Sequence, residues 1–200
     1  MNVEEYNKIK NFTYQEYCDY LVKKYGPGLA DYMTSSYNKN KKCSRTQDGL
    51  VVHHRYEDHA IMLSHKEFAM KNPFEWQQAK NMVYCDYLEH LFLHILICEY
   101  PSPDRNEGEA VGIGGVINFI VPELNDFYSG WRSKQEWKIK MLSLIENDMD
   151  VYLELLKRFK HNCYNYPTYT KDCLFSSLGN EFGVWNIKNN RELFEKIKNL

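Results

Sequence analysis

Four of the seven histidines in this chain fall into two pairs, and histidine is its residue type with the widest chemical reach. His53 and His54 are adjacent at the end of the apolar run Leu50-Val51-Val52. His90 and His94 lie in the apolar stretch from Tyr84 to Cys98, with Asn81 just ahead of it. If that stretch is a helix, residues at i and i+4 are neighbours on one face, and His90 and His94 can share one metal ion. Adjacent residues on a strand point to opposite sides, so His53 and His54 can divide two tasks, one ligating a metal and the other abstracting a proton. Imidazole suits both tasks at neutral pH. A nearby Asn can fix the ring of a base by hydrogen bonding and so set its tautomer. Phosphodiester hydrolysis needs an activated water, and positive charge where the pentavalent phosphorus gathers negative charge; one divalent ion and one general base supply both. The set therefore reads as a metal-dependent nuclease. A lone histidine on an apolar helix is more often a satisfied core residue; two spaced pairs with an Asn carry the functional reading together.

The elements that must position these residues can be placed from local signals. Leu50–Tyr56 reads as a strand, Glu57-Asp58-His59 as a turn and Ala60–Leu63 as a returning strand, which makes a hairpin. Ser64-His65-Lys66-Glu67 has the form of a capping box that starts a short helix closed by Asn72-Pro73, and Pro73 can sit in the first turn of the next. In the helix after Asn81, Leu88, Leu91, Phe92, Ile95 and Leu96 should face the core, with Pro101 and Pro103 ending it. Asp104 to Glu109 follow as a polar loop. His59 and His65 fit no role and read as surface loop residues, and Asp86 and Glu89 as solvated groups or outer partners of the site.

Upstream, Thr13-Tyr14-Gln15-Glu16 is a capping box. The stripe of Tyr14, Tyr17, Cys18, Leu21 and Val22 predicts a packing helix that stops at Gly26-Pro27-Gly28. The segment Asn38–Arg45 carries Lys39, Lys41, Lys42 and Arg45 and no acid. Such runs are usually solvated loops, but the position just before His53 makes these four residues candidate phosphate contacts. Downstream, Gly112–Pro122 is ambiguous between strand and buried helix. Its glycines lack the spacing of a phosphate loop or a dinucleotide fingerprint and read as close-packing positions. Ser133-Lys134-Gln135-Glu136 opens a helical region that runs to about His161 with a break near Asn147-Asp148. Met141, Leu144 and Ile145 supply one apolar face, and Leu155, Leu156 and Phe159 the next. Lys157, Arg158, Lys160 and His161 follow at its basic end. Asn189-Asn190 caps a last helix with Leu193, Phe194 and Ile197.

Two hundred residues with a 44% hydrophobic fraction suffice for one globular domain with a real core. A net charge of −2 gives no global attraction to nucleic acid, so DNA binding must rest on local patches. The six scattered cysteines form no C-x-x-C pair and read as reduced thiols of a cytoplasmic protein. The N-terminus reads as lacking a signal peptide, and the apolar runs are too short to span a membrane.

The segments Leu50-Val51-Val52-His53-His54, Asn81-Met82-Val83-Tyr84-Cys85 and Glu89-His90 through His94 together resemble the HNH endonucleases. That family places a His-His pair at a strand end, an Asn ahead of a helix, and helical histidines that complete the metal site. The Asn-to-His-to-His spacing is similar to that of the colicin-type nucleases, and the flanking sequence looks like HNH proteins of phages and mobile elements. The resemblance implies an α+β fold, a small ββα-metal core in a mostly helical single domain. Residues 1–45 would be a helical arm with the basic loop, 46–98 the core, and 99–200 a mostly helical extension packed on it. It implies that His53 and His94 are metal ligands, that His90 is a ligand or an outer partner, that His54 is the general base and that Asn81 orients it. The cofactor would be one divalent ion (Mg2+, Mn2+, Zn2+ or Ni2+) and the substrate DNA. The chain departs from many family members in lacking C-x-x-C zinc pairs and in the long gap from His54 to Asn81. Two rival readings are a structural zinc in a DNA- or protein-binding module, and a degenerate nuclease that acts as an interaction partner.

Overall fold

Two short strands and the helix that follows them form the centre of the molecule. The computed structural model describes residues 1–163, 171–176 and 191–200. In chain order these form α1 (Val3–Ile9), α2 (Tyr14–Tyr25), β1 (Val51–His54), α3 (Lys66–Ala69), β2 (Met82–Cys85) and α4 (Tyr87–Glu99). A helical stretch follows, made of α5 (Ile113–Gly115), a π-helical segment (Val116–Ile120) and α6 (Val121–Tyr128). Then come α7 (Glu136–Ser143), α8 (Met149–Asn162) and α9 (Arg191–Lys198). The class is α+β.

β1 pairs antiparallel with β2, with Val51 opposite Cys85 and His54 opposite Met82. The hairpin read within residues 50–63 does not form. β1 ends at His54, and Ala60–Leu63 is a loop in which Met62 takes a positive φ of 56°. The partner strand instead comes from Met82–Cys85, all of it buried, so its sequence shows no in–out alternation. Helix α4 accordingly starts at Tyr87 rather than Tyr84. Its N-cap is Asp86, which accepts from the Glu89 backbone while the Glu89 side chain returns to the Asp86 N–H. This reciprocal cap satisfies two donors that the first helical turn leaves free. The capping box expected at Ser64–Glu67 is absent: His65 occupies the cap without a side-chain bond, and only a single turn of helix follows.

α4 is buried around most of its circumference, as suits a helix enclosed by others. Leu88, Leu91, Phe92, Ile95 and Leu96 have no exposed surface. One continuous core gathers side chains from α1, α2, α4, the 113–128 helical stretch, α7, α8 and α9. α2 carries the expected Thr13–Glu16 box and buries Tyr14, Tyr17, Cys18 and Leu21. The ambiguous Gly112–Pro122 run is helical, and of its glycines Gly112 and Gly115 are close-packing positions, whereas a Cβ on Gly114 would meet only ordinary contact at 3.7 Å. Gly112 has φ of 81°, and a Cβ there would lie 2.8 Å from the His94 carbonyl oxygen. The helical break after α7 falls where expected, but Leu142 takes the core position assigned to Leu144, which is exposed. Arg158 at the basic end of α8 reaches the Glu99 carboxylate at 2.6 and 2.7 Å. Leu193 and Ile197 of α9 are buried, whereas its proposed cap Asn189-Asn190 lies outside the described residues. Cys18, Cys43, Cys85, Cys98 and Cys163 are buried thiols. Among the described residues no helix is long and apolar enough to cross a membrane.

Candidate metal centre

Because neighbouring strand residues face opposite ways, β1 sends His53 toward α2 and α4 and His54 toward the 32–77 side of the sheet. His53 is fully buried, its ring centroid 5.3 Å from that of His90 and 5.2 Å from that of His94. On α4 the i, i+4 pair presents its two Nε2 atoms to one another at 3.2 Å. The turn after β1 brings in Glu57, whose Oε2 lies 3.4 Å from both His53 Nδ1 and His94 Nε2. His53, Glu57, His90 and His94 each offer a donor atom within 4.8 Å of all the others.

These separations suit a metal ion. Zinc–imidazole bonds of about 2.0–2.1 Å, at tetrahedral angles, put neighbouring donor atoms about 3.3 Å apart, close to the 3.2 and 3.4 Å found here. The chemistry of the donors points the same way. Burial lowers His53 to about 3 and holds His90 and His94 below the ordinary imidazole range, so all three rings are neutral bases. Burial alone would raise Glu57, but contact with His53, His54 and His94 outweighs it and keeps the carboxyl well below its usual range. His53 Nδ1, the atom aimed at the Glu57 oxygen, is buried without a hydrogen-bond partner. Its other nitrogen meets the Tyr14 hydroxyl at 2.8 Å, and that hydroxyl has the Arg55 carbonyl as its acceptor at 3.1 Å. With the Tyr14 proton on Arg55, His53 Nε2–H donates to the Tyr14 oxygen, which leaves the Nδ1 lone pair facing the cluster.

His94 is held from behind by glycine. A Cβ on Gly115 would lie 2.4 Å from the His94 ring, so only a residue without a side chain fits at that point of the 113–128 helical stretch.

His54 stands beside the cluster, with Nδ1 3.3 Å from Glu57 Oε1 and Nε2 3.2 Å from Gln77 Oε1. Gln77 is fully buried, and its nitrogen donates to the Leu63 carbonyl, which fixes the amide oxygen toward His54. Asn81 does not take the orienting role read for it. Its side chain donates to the Glu75 carbonyl and its own carbonyl accepts from Arg55 N–H, so it clamps the end of the strand pair. Sequence reasoning missed Glu57, Gln77 and Tyr14 as members of the site. Glu57 carried a usable signal, a carboxylate one turn beyond the His pair. Gln77 sits in a short 3-10 turn with no periodicity to read, and Tyr14 looked like any other member of its apolar stripe.

Other sequence expectations find different places. His59 is half-buried, bonded to Asp58 at 2.6 Å and to Ser102 at 3.2 Å, whereas His65 is exposed. Asp86 and Glu89 are buried rather than solvated: Asp86 pairs with the Met1 ammonium, and Glu89 pairs with Lys24 at 2.7 Å. Of the basic segment, Arg45 is engaged internally with Asp48, the Tyr25 carbonyl and the Tyr84 ring. Lys41 and Lys42 are exposed. Lys39 lies 5.1 Å over the Tyr32 ring, whose other contact is the His54 ring at 4.4 Å. No protein-family model, no curated protein and no solved structure matches the chain.

Proposed function

We propose that the protein is a metal-dependent endonuclease of the HNH kind, hydrolysing phosphodiester bonds of DNA. The observation that carries this reading is the convergence of His53 Nδ1, His90 Nε2 and His94 Nε2 beside a fourth histidine on a strand–strand–helix unit. Those three imidazoles would hold one divalent ion. When bound, the ion supplies positive charge for the scissile phosphate and the departing 3′ oxygen. His54 takes the proton of the attacking water at Nδ1, and Gln77 holds the ring by accepting from Nε2–H. Lys39, one aromatic ring away from His54, binds a flanking phosphate with Lys41 and Lys42. A cleft of about 400 Å³ bounded by Tyr32, Lys39, Ser44 and Trp137 opens on that side. Arg45 supports this segment by its internal bonds and is not one of the phosphate contacts.

The test is supercoiled plasmid incubated with purified protein and Mg2+, Mn2+, Zn2+ or Ni2+. His54→Ala should lower cleavage about 10²–10⁴-fold and leave calorimetric metal affinity unchanged. Near-normal cleavage by that variant removes His54 as the base, and loss of metal binding makes it a ligand.

A second reading follows from Glu57. Four protein donors with no open position would mark a structural ion in a binding module rather than a catalytic one. Under that reading no ion supports cleavage, and stripping the metal lowers the melting temperature.

A further inference from the structure

Glu57 is the donor that the nuclease reading leaves without a task. It differs from His53 and His94 in placement, and shares with His90 an intermediate exposure. His53 and His94 come from a strand and a helix inside the core and are almost fully buried. Glu57 comes from the turn after β1 and keeps 18% of its side chain exposed, at the edge of the cluster that faces solvent. Its two oxygens also do different things. Oε2 completes the cluster, 3.4 Å from His53 Nδ1 and from His94 Nε2. Oε1 faces His54 Nδ1 at 3.3 Å. One carboxylate thus lies between the ion-binding nitrogens and the nitrogen that must meet the attacking water.

Those two positions are the ones a phosphodiester and its nucleophile require. A nonbridging phosphate oxygen must reach the ion, and a water must lie against His54 Nδ1. Both ligands are oxygens. A diester phosphate group carries one negative charge, as does the Glu57 carboxylate, so exchanging one for the other leaves the charge around the three neutral imidazoles unchanged. Exchanging one of the neutral imidazoles for a phosphate would instead add a negative charge to the cluster.

We propose that Glu57 is an internal placeholder for the phosphate of the substrate, with Oε2 marking the subsite of the phosphate oxygen and Oε1 the subsite of the attacking water. Substrate binding displaces the carboxylate from both. The inference rests on the metal-centred nuclease reading for its substrate, and it also reconciles the two readings above: the site is closed by four protein donors at rest and opens when phosphate arrives.

The test uses the full chain loaded with Co2+, whose visible absorption is intense when four-coordinate and weaker when a further ligand or water joins. Inorganic phosphate is the probe, and Glu57→Ala and Glu57→Gln are compared with the parent after thermal melting shows that each is folded. If one variant fails to fold, the other decides. The parent should give the intense four-coordinate spectrum, which phosphate alters. The variants should bind Co2+ about tenfold more weakly and show an altered spectrum without phosphate. Once loaded, they should bind phosphate about tenfold more tightly, because no internal ligand has to leave. Identical Co2+ spectra in parent and variants overturn the placeholder, as does phosphate affinity that is equal in all of them. The plasmid assay separates this outcome from the larger reading. Cleavage with unchanged spectra sinks the Glu57 inference alone. The expected spectra and phosphate affinities without cleavage by any protein or ion sink the nuclease reading and leave the phosphate subsite standing.

Discussion

Helix α4 carries two buried polar clusters, and they differ in who satisfies them. At its N-terminal end, Asp86 and Glu89 cap the helix and are met by cations from the chain itself: the Met1 ammonium on Asp86, and Lys24 on Glu89 and Glu5. One turn further on, His90 and His94 join His53 and Glu57, and there the chain brings three neutral bases and one anion with no cation of its own among them. Burying polar groups is tolerated when partners are supplied. The first cluster supplies its partners and is complete. In the second, His53 Nδ1, His90 Nδ1 and His94 Nδ1 are buried without a hydrogen-bond partner, and the four side chains set their donor atoms close enough to hold a metal ion. The contrast separates a polar cluster that is closed by its own ion pairs from one that could hold a metal ion.

Three substitutions test that contrast. His94→Ala should have the largest effect, on the histidine cluster. Removing a donor should weaken metal binding by more than the roughly 10–100-fold that loss of an outer partner costs, and cleavage should fall with it. Calorimetric titration of Zn2+ measures this, and unchanged affinity would return His94 to the core as a packing residue. Lys24→Met acts on the structural cluster. It strands Glu89, which has no exposed surface, and should cost about 3 kcal/mol in urea denaturation, at the low end for a buried pair because Lys24 is partly exposed. Metal affinity should not change. A parallel loss of affinity would show that the two clusters are one network. Tyr14→Phe should have the smallest effect. It removes the acceptor that keeps the His53 proton on Nε2, and should weaken Zn2+ binding about tenfold. An unaltered binding isotherm would mean that His53 needs no help in choosing its tautomer.

The elements that obey local rules were legible before the structure. The Thr13–Glu16 box, the apolar face of α4 and the interruption between α7 and α8 all follow from capping chemistry and helical spacing, which depend on residues close in sequence. β2 was not legible because Met82–Cys85 is enclosed on both faces, and alternation is readable only where one face meets water. Ala60–Leu63 looked like a strand by composition but has no neighbour to pair with, since β2 takes the ladder edge of β1. In the site, the histidines were readable because i, i+4 spacing and adjacency are local patterns. Glu57, Gln77 and Tyr14 join them through a turn, an irregular segment and a distant helix, and sequence separation carries no trace of those contacts. Asn81 lies beside the strand end in sequence, yet its amide points to the Glu75 carbonyl, and it is the Gln77 amide that meets the His54 ring.

The Gly115 contact bears on which ion the cluster accepts. With the helix backbone where a side chain would collide with the His94 ring, the ring has no room to retreat. A ligand that cannot retreat makes the cage a gauge of ionic radius. Calcium takes six or more oxygen ligands at about 2.3–2.6 Å, so it would have to push the imidazoles apart against the 113–128 helical stretch, and would gain few oxygens in return. Under the metal-binding reading, the glycine at this position discriminates against large, oxygen-seeking cations and favours the smaller ions that imidazole nitrogen suits.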